Sequence, residues 1–195
     1  DKEVTSYRSL IIAGNSPMGK KLAKEANDGT LTWKDLNEAK WGLESTSSAA
    51  GYMYPSQWLT DNFKHSIRDL KNTVTMDSYD SAMAQLASGQ IDVMPEYADA
   101  RMDDATKWTT TFGAKESIWD GVTPAIANDG IMVSEKSKIM TADFKKALSA
   151  AIKDMAKTDE GKKVIAIYSH DGYVDSTKAD YKTAIKVANS MSKAN

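Results

Sequence analysis

Between residues 7 and 97, short apolar runs alternate with segments of helical spacing, and this alternation restricts the fold more than any other feature of the chain. Tyr7-Arg-Ser-Leu-Ile-Ile-Ala13 is rich in aromatic and β-branched side chains and reads as a strand. Gly14-Asn-Ser-Pro17 breaks it, and a helix over 18–26 follows, ending at Asn27-Asp-Gly29. Thr32 caps a short second helix, with Asp35 in its first turn. Residues 40–43 read as a strand that runs into a hydroxyl-rich turn. The helix beyond extends to about Asn62, where Pro55 is tolerable only near the first turn or at a kink. A linker with a single helical turn covers 63–70. Residues 73–76 are strand-like, and Ser78 caps a helix over 79–87 with Ala82, Met83, Leu86 and Ala87 on one face. The next strand is 91–94, and 96–106 reads as a helix with acidic residues at its start, as the helix dipole prefers. Strands joined through helices at this spacing specify an α/β domain with a largely parallel sheet.

The C-terminal third changes character. Residues 118–127 read as extended, with turns at Asp120-Gly121 and Asn128-Asp-Gly130, and Ile131-Met-Val133 continues as a strand. From Thr141 the chain is helical. Phe144, Ala147, Leu148, Ala151, Ile152 and Met155 form one apolar stripe. A helix from Asp159 turns Val164, Ile165 and Tyr168 inward. A last helix starts at a Thr177-x-x-Asp180 cap and buries Tyr181, Ala184, Ile185, Ala188 and Met191.

Charge and chemistry remove several function classes. Net charge is −2, and the 25 basic and 27 acidic residues are spread along the chain, so no basic stripe awaits a nucleic acid. There is no cysteine, hence no disulfide, thiolate metal site or thiol nucleophile. The two histidines, His65 and His170, are far apart and lack ligand spacing. Neither a Gly-x-Ser-x-Gly elbow nor a phosphate loop ending in Gly-Lys-Ser is present. No cofactor is expected. Asp99 and Asp103 lie one turn apart on an acidic segment, which reads either as a solvated face or as a weak site for a hard cation.

Glu44-Ser-Thr-Ser-Ser-Ala-Ala-Gly-Tyr-Met-Tyr-Pro55 carries the clearest binding chemistry. Small residues at Ala49, Ala50 and Gly51 allow close approach to a helix start, whose N–H groups and dipole favour an anion. Two readings are open. Either one serine caps the helix and the others decorate a loop, or Ser45, Thr46, Ser47 and Ser48 add donors to an oxyanion ring. Other polar turns at strand ends are Asp77-Ser-Tyr-Asp80, residues 95–99, and Asp129. Carboxylates at Asp99 and Asp129 suit a cationic ligand group, because buried carboxylates must be paired.

The ordered set of motifs resembles the phosphonate, phosphite and phosphate substrate-binding proteins of ABC transporters. Residues 45–55 resemble the Ser-Thr-Ser-Gly-Tyr-x-x-Pro anion loop of that family. Ser78-Tyr-Asp-Ser-Ala-Met-Ala-Gln-Leu86 and Gly89-Gln-Ile-Asp-Val93 resemble its Gly-His-Asp-x-Ala helix and Gly-x-Val-Asp strand. Residues 7–12, Pro124-Ala-Ile-Ala-Asn-Asp-Gly-Ile131 and Gly172-Tyr-Val174 resemble its crossover strand, its return crossing and its C-terminal end. The resemblance implies a periplasmic-binding-protein-like, two-lobed α/β fold. Residues 14–125 would form a complete second lobe. Residues 1–13 and 126–195 would supply crossover strands and the helical part of a first lobe, about 90–110 residues of whose N-terminal portion are absent.

By the same resemblance Tyr7 lines the cleft, while Thr46, Ser47, Ser48 and the N–H groups of Ala49 and Ala50 hold phosphonate-like oxygens. Tyr79 faces them, and Asp99 and Asp129 hold an amino group if the ligand has one. The pattern departs from the family in two places. Ser48-Ala-Ala-Gly51 stands against Ser-Thr-Ser-Gly, and Tyr79 replaces a frequent histidine, so no positive charge comes from that position. The implied partners are a small phosphorus oxyanion or aminoalkylphosphonate and an ABC permease. An oligomer, domain exchange or a separated N-terminal fragment would cover the apolar surface of 131–133 and of the helix over 141–157. The expected location is extracytoplasmic, in the periplasm or anchored by lipid at the outer surface of a bacterium. Two alternatives stand beside a binding protein. One is an enzyme of the same architecture acting on a phosphorylated metabolite, with Asp77 or Asp80 as base. The other is a sensor or scaffold lobe that binds protein through Trp108 and Trp119.

Overall fold

In the computed structural model, which describes residues 4–98, 118–119 and 125–192, the segment Ser9–Ala13 forms a strand (β2) buried along its whole length. Its unbroken apolar run suits a strand covered on both faces. Leu10 and Ile12 project into a cluster with Met76, Met83, Leu86, Ile91 and Met94, whereas Ile11 faces Leu22, Leu36, Trp41, Leu59 and Val93 on the other side. Before β2 lies the short strand β1 (Ser6–Tyr7). After β2 come α1 (Pro17–Asn27) and α2 (Trp33–Glu38), capped by Ser16 and Thr32 through their side-chain oxygens.

Strand β3 (Trp41–Leu43) leads through the hydroxyl turn into a π-helical turn (Ala49–Met53) and then α3 (Tyr54–Phe63). The π turn accounts for Pro55. It places the proline in the first turn of α3, where its fixed φ suits the helix. Lys64, in the left-handed region with φ 64°, closes α3, and a 3-10 turn (Ile67–Asp69) leads to β4 (Thr73–Thr75). Helix α4 (Tyr79–Ala87) begins at the Ser78 cap and is followed by β5 (Val93–Tyr97). β6 (Ile118–Trp119) and β7 (Ile126–Ala127) complete the strands among the described residues. Glu96 and Tyr97 belong to β5 and Ala98 to a turn rather than to the expected helix, whose remainder from Asp99 lies outside the described residues.

The five-stranded sheet has the order β4-β3-β5-β2-β6. β3 pairs parallel with β4 and β5, as helix-linked strands should, but β2 pairs antiparallel with both β5 and β6. The sheet is therefore mixed instead of largely parallel. A two-sided apolar run fits either direction, so composition alone leaves the orientation of β2 undetermined. Trp41 sits at the centre of one core layer, fully buried, and its indole N–H donates to the Leu36 carbonyl at 2.8 Å.

The chain divides into two compact units, residues 1–128 with 182–195, and residues 129–181. The second holds α5 (Ala142–Met155) and α6 (Asp159–Ile165), capped by Thr141 and Thr158. Here several expectations are corrected. Ile131-Met-Val133 is not a strand, and no strand occurs among the described residues of this unit. The stripe on α5 has helical spacing, yet none of its residues is buried. Ile165 is buried on α6, but Val164 and Tyr168 are exposed.

The last helix, α7 (Lys182–Ser192), belongs to the first unit. Thr177 and Asp180 make the expected cap contacts, with the Thr177 N–H donating to Asp180 Oδ2 at 2.6 Å, but the helix starts later, at Lys182. Its buried centre is Val187, against Ala50, Tyr54 and Ile126, which leaves Ile185 and Ala188 on the outer side.

Candidate functional site

The first unit gathers the polar turn, the start of the π turn and four tyrosines around one place. Ser48 has extended backbone (φ −68°, ψ 121°) and caps the helix, its Oγ accepting the Gly51 N–H at 3.1 Å. Helix geometry leaves the N–H groups of Ala49 and Ala50 without an intrahelical acceptor. Within the turn, the Ser48 N–H donates to the Ser45 carbonyl at 2.9 Å, and the Ser45 and Ser47 hydroxyls meet at 3.1 Å. Ser45, Thr46 and Ser47 are exposed, Ser48 and Ala49 half-buried, and Ala50 buried. The buried Ser9 hydroxyl donates to the Ala50 carbonyl at 2.6 Å, so β2 itself fixes this helix start.

Tyr79, in the first turn of α4, brings its hydroxyl to 3.4 Å from Ser48 Oγ. Its ring meets Tyr97 edge-on, with centroids 5.4 Å apart at 71°. Burial pushes the Tyr79 phenol up to about 12, opposed by the Ser48 contact and reinforced by Glu44, Glu96 and Tyr7. Tyr54 is also raised, by burial and by Tyr7, and among the described residues its buried hydroxyl has no hydrogen-bond partner. Glu44, at the end of β3, is held above the usual carboxylate range by burial and by Asp77. On β5, Glu96 is fully buried. On the other side of the turn lies a pocket of ≈ 210 Å³, lined by Glu44, Ser45, Thr46, Arg68, Thr73 and Thr75 over Leu43, Tyr52, Ile67 and Leu70.

Of the residues expected from sequence, Tyr7, Ser48, Ala49, Ala50 and Tyr79 come together. Thr46 and Ser47 stand at the exposed rim of the turn, with Thr46 on the pocket side. Asp99, like Trp108, lies outside the described residues, and Asp129 is exposed and falls in the 129–181 unit. Asp77 and Asp80 are exposed. No group of three metal-ligating side chains occurs among the described residues, and no described helix is long and apolar enough to cross a membrane.

Sequence reasoning missed Ser9, Glu44, Tyr54, Glu96 and Tyr97. Ser9 is the one polar residue inside an otherwise apolar run. Glu44 carried a signal, being a carboxylate set between an apolar strand and a run of hydroxyls. Tyr54 reads as one more core aromatic at helical spacing, and Glu96 and Tyr97 were hidden by the helix assigned to them.

Residues 1–181 match the family described as "ABC transporter, phosphonate, periplasmic substrate-binding protein". No curated protein matches the chain. Solved structures do. The binding-protein component of an ABC phosphonate transporter from Pseudomonas aeruginosa aligns with a TM-score of 0.58 and 16% identity, over 97% of this chain and 59% of that one. PhnD1 from Prochlorococcus marinus, in complex with methylphosphonate, aligns at 0.59 and 14%, over 97% and 68%. A Xanthomonas citri protein bound to ATP aligns at 0.64 and 14%, over 97% and 67%. The chain thus spans 59–68% of the length of these neighbours, and at such identities the likeness is one of fold.

Proposed function

We propose, from the premise that the chain belongs to the family of periplasmic substrate-binding components of phosphonate ABC transporters, that it captures a small phosphorus oxyanion at the start of the π turn before α3. The family binds and does not catalyse, so no base at Asp77 or Asp80 is needed. One observation carries the reading. The Ser48 hydroxyl and the Tyr79 hydroxyl 3.4 Å away meet at the positive end of a helix, whose first N–H groups, those of Ala49 and Ala50, have no acceptor within it. Tyr7 flanks this group, and Thr46 and Ser47 extend it toward solvent.

The ligand class on this reading is methylphosphonate, phosphite, phosphate or an aminoalkylphosphonate. The methylphosphonate recorded in the Prochlorococcus neighbour supports the choice. Delivery is to an ABC permease, outside the cytoplasm, with the protein free in the periplasm or held by a lipid anchor. Ser48→Leu fills the space in front of the amides and is expected to abolish methylphosphonate binding in a calorimetric titration while the protein stays folded by circular dichroism. Unchanged affinity in that variant rejects the assignment.

A further inference from the structure

A carboxylate-bearing side chain, Glu44, stands beside the place assigned to an anion. Glu44 lies so close over the π turn that a Cβ added to Gly51 would be 2.5 Å from its Cβ and 2.6 Å from its Cγ, and 3.0 Å from Ser48 Oγ. The stem of Glu44 and the Ser48 hydroxyl therefore both stand against Gly51. Glu44 is half-buried, and its Oε1 is buried and, among the described residues, has no hydrogen-bond partner. Among the described residues, the charged and titratable groups that act on Glu44 or share its pocket wall are Asp77, Tyr79, Arg68 and Tyr52.

An ionised carboxylate only accepts hydrogen bonds, and a bare oxyanion only accepts them too. Set beside each other they repel, unless one proton lies between them, when the contact becomes a strong charge-assisted hydrogen bond. Phosphonates, phosphite and phosphate can carry that proton as a P–O–H group, whereas sulfonates and sulfate of the same shape do not hold one near neutral pH. We infer that Glu44 is a specificity-determining residue that admits oxyanions able to share one proton with it and turns away isosteric oxyanions that lack one. The inference rests on the phosphonate-binding reading and narrows its ligand class. The raised affinity of Glu44 for its own proton is consistent with this pairing, since either partner can then supply the hydrogen.

The test titrates the chain calorimetrically with methylphosphonate and with methanesulfonate, from mildly acid to mildly alkaline pH, in the wild type and in Glu44→Gln. The wild type is expected to prefer methylphosphonate by roughly 10- to 100-fold, the size of one hydrogen bond to a charged group. Its affinity for methylphosphonate falls on the alkaline side, where the shared proton is lost. Affinity for methanesulfonate rises on acidification, where Glu44 itself becomes the donor. Glutamine donates without titrating, so Glu44→Gln brings the two affinities to within a few-fold and flattens both profiles. An unchanged preference in Glu44→Gln, with methylphosphonate still bound, overturns the role of Glu44 and leaves the proposed function standing. Absence of methylphosphonate binding in the wild type overturns both. If Glu44→Gln fails to fold, the wild-type profiles decide alone, and pH-independent affinities for the two ligands overturn the inference.

Discussion

Tyr79 shows how one side chain changes what a site can offer. A phenol pushed up to about 12 stays neutral across the physiological range, so it gives a hydrogen bond to an incoming oxyanion and no positive charge. The shift is also a statement about stability. In the unfolded chain the phenol ionises near its ordinary value of about 10. Between about 10 and about 12 the folded state holds a proton that the unfolded state has released, so stability falls as pH rises through that window and is unaffected below it. Tyr79→Phe removes this dependence. Urea midpoints taken on both sides of the window should drop more for the wild type than for the variant, and parallel drops would show that Tyr79 ionises as it does in water. Ser48 is the other polar residue here with a double duty, its one oxygen capping Gly51 while meeting the Tyr79 hydroxyl. The cap was legible from sequence because it is local. The tyrosine contact bridges residues far apart in the chain, and local pattern carries no sign of it.

Among the elements, the strand–turn–helix from Trp41 to Phe63 positions the site, and Gly51 is one of its two tightest points, with Gly42. The backbone of Gly51 has no need of glycine's left-handed freedom; what it needs is the absence of a Cβ beneath Glu44. Gly51→Ala must displace the Cβ and Cγ of Glu44, atoms close to their own backbone and hence slow to yield, so a cost of about 1–3 kcal/mol is expected in denaturant unfolding. The same displacement should weaken methylphosphonate binding, because the helix start moves with it. A variant as stable as the wild type would mean that Glu44 can swing away freely. Elements bounded by their own caps were legible from the sequence. Helix α4 begins at Ser78 as expected, and α2 at Thr32, since a hydroxyl accepting an N–H two or three residues on is encoded within one turn of chain. β5 was misplaced for the complementary reason. Its strand character at Pro95–Tyr97 comes from pairing with Ser9–Ile11, which is a tertiary cause, and the acidic Glu96 imitates a helix start.

For the molecule as a whole, stability should be distributed as unevenly as the buried apolar surface. The first unit has three apolar clusters, two of them packed on the opposite faces of the central sheet and built on Leu10, Ile11, Ile12, Trp41, Leu86 and Met94. In the 129–181 unit only Ala156, Gly161 and Ile165 are buried, while Ile131, Met132, Ile139, Phe144, Met155, Val164, Ile167, Tyr168 and Val174 are exposed. Its surface ties are salt bridges such as Lys153–Asp175 at 2.7 Å and Lys157–Asp154 at 2.9 Å, of a kind that contributes little in water. Local opening costs least where few apolar contacts must be broken. Native-state hydrogen exchange should therefore find the amides of β2 and of Val93 and Met94 protected to the level of global unfolding. Those of α5 and α6 should exchange through cheaper openings and respond little to denaturant. The apolar stripe on α5 makes the comparison informative, because sequence periodicity alone would rank that helix among the most protected. Protection of α5 equal to that of β2, in the 195-residue chain at dilute concentration, would show that those side chains find cover in solution.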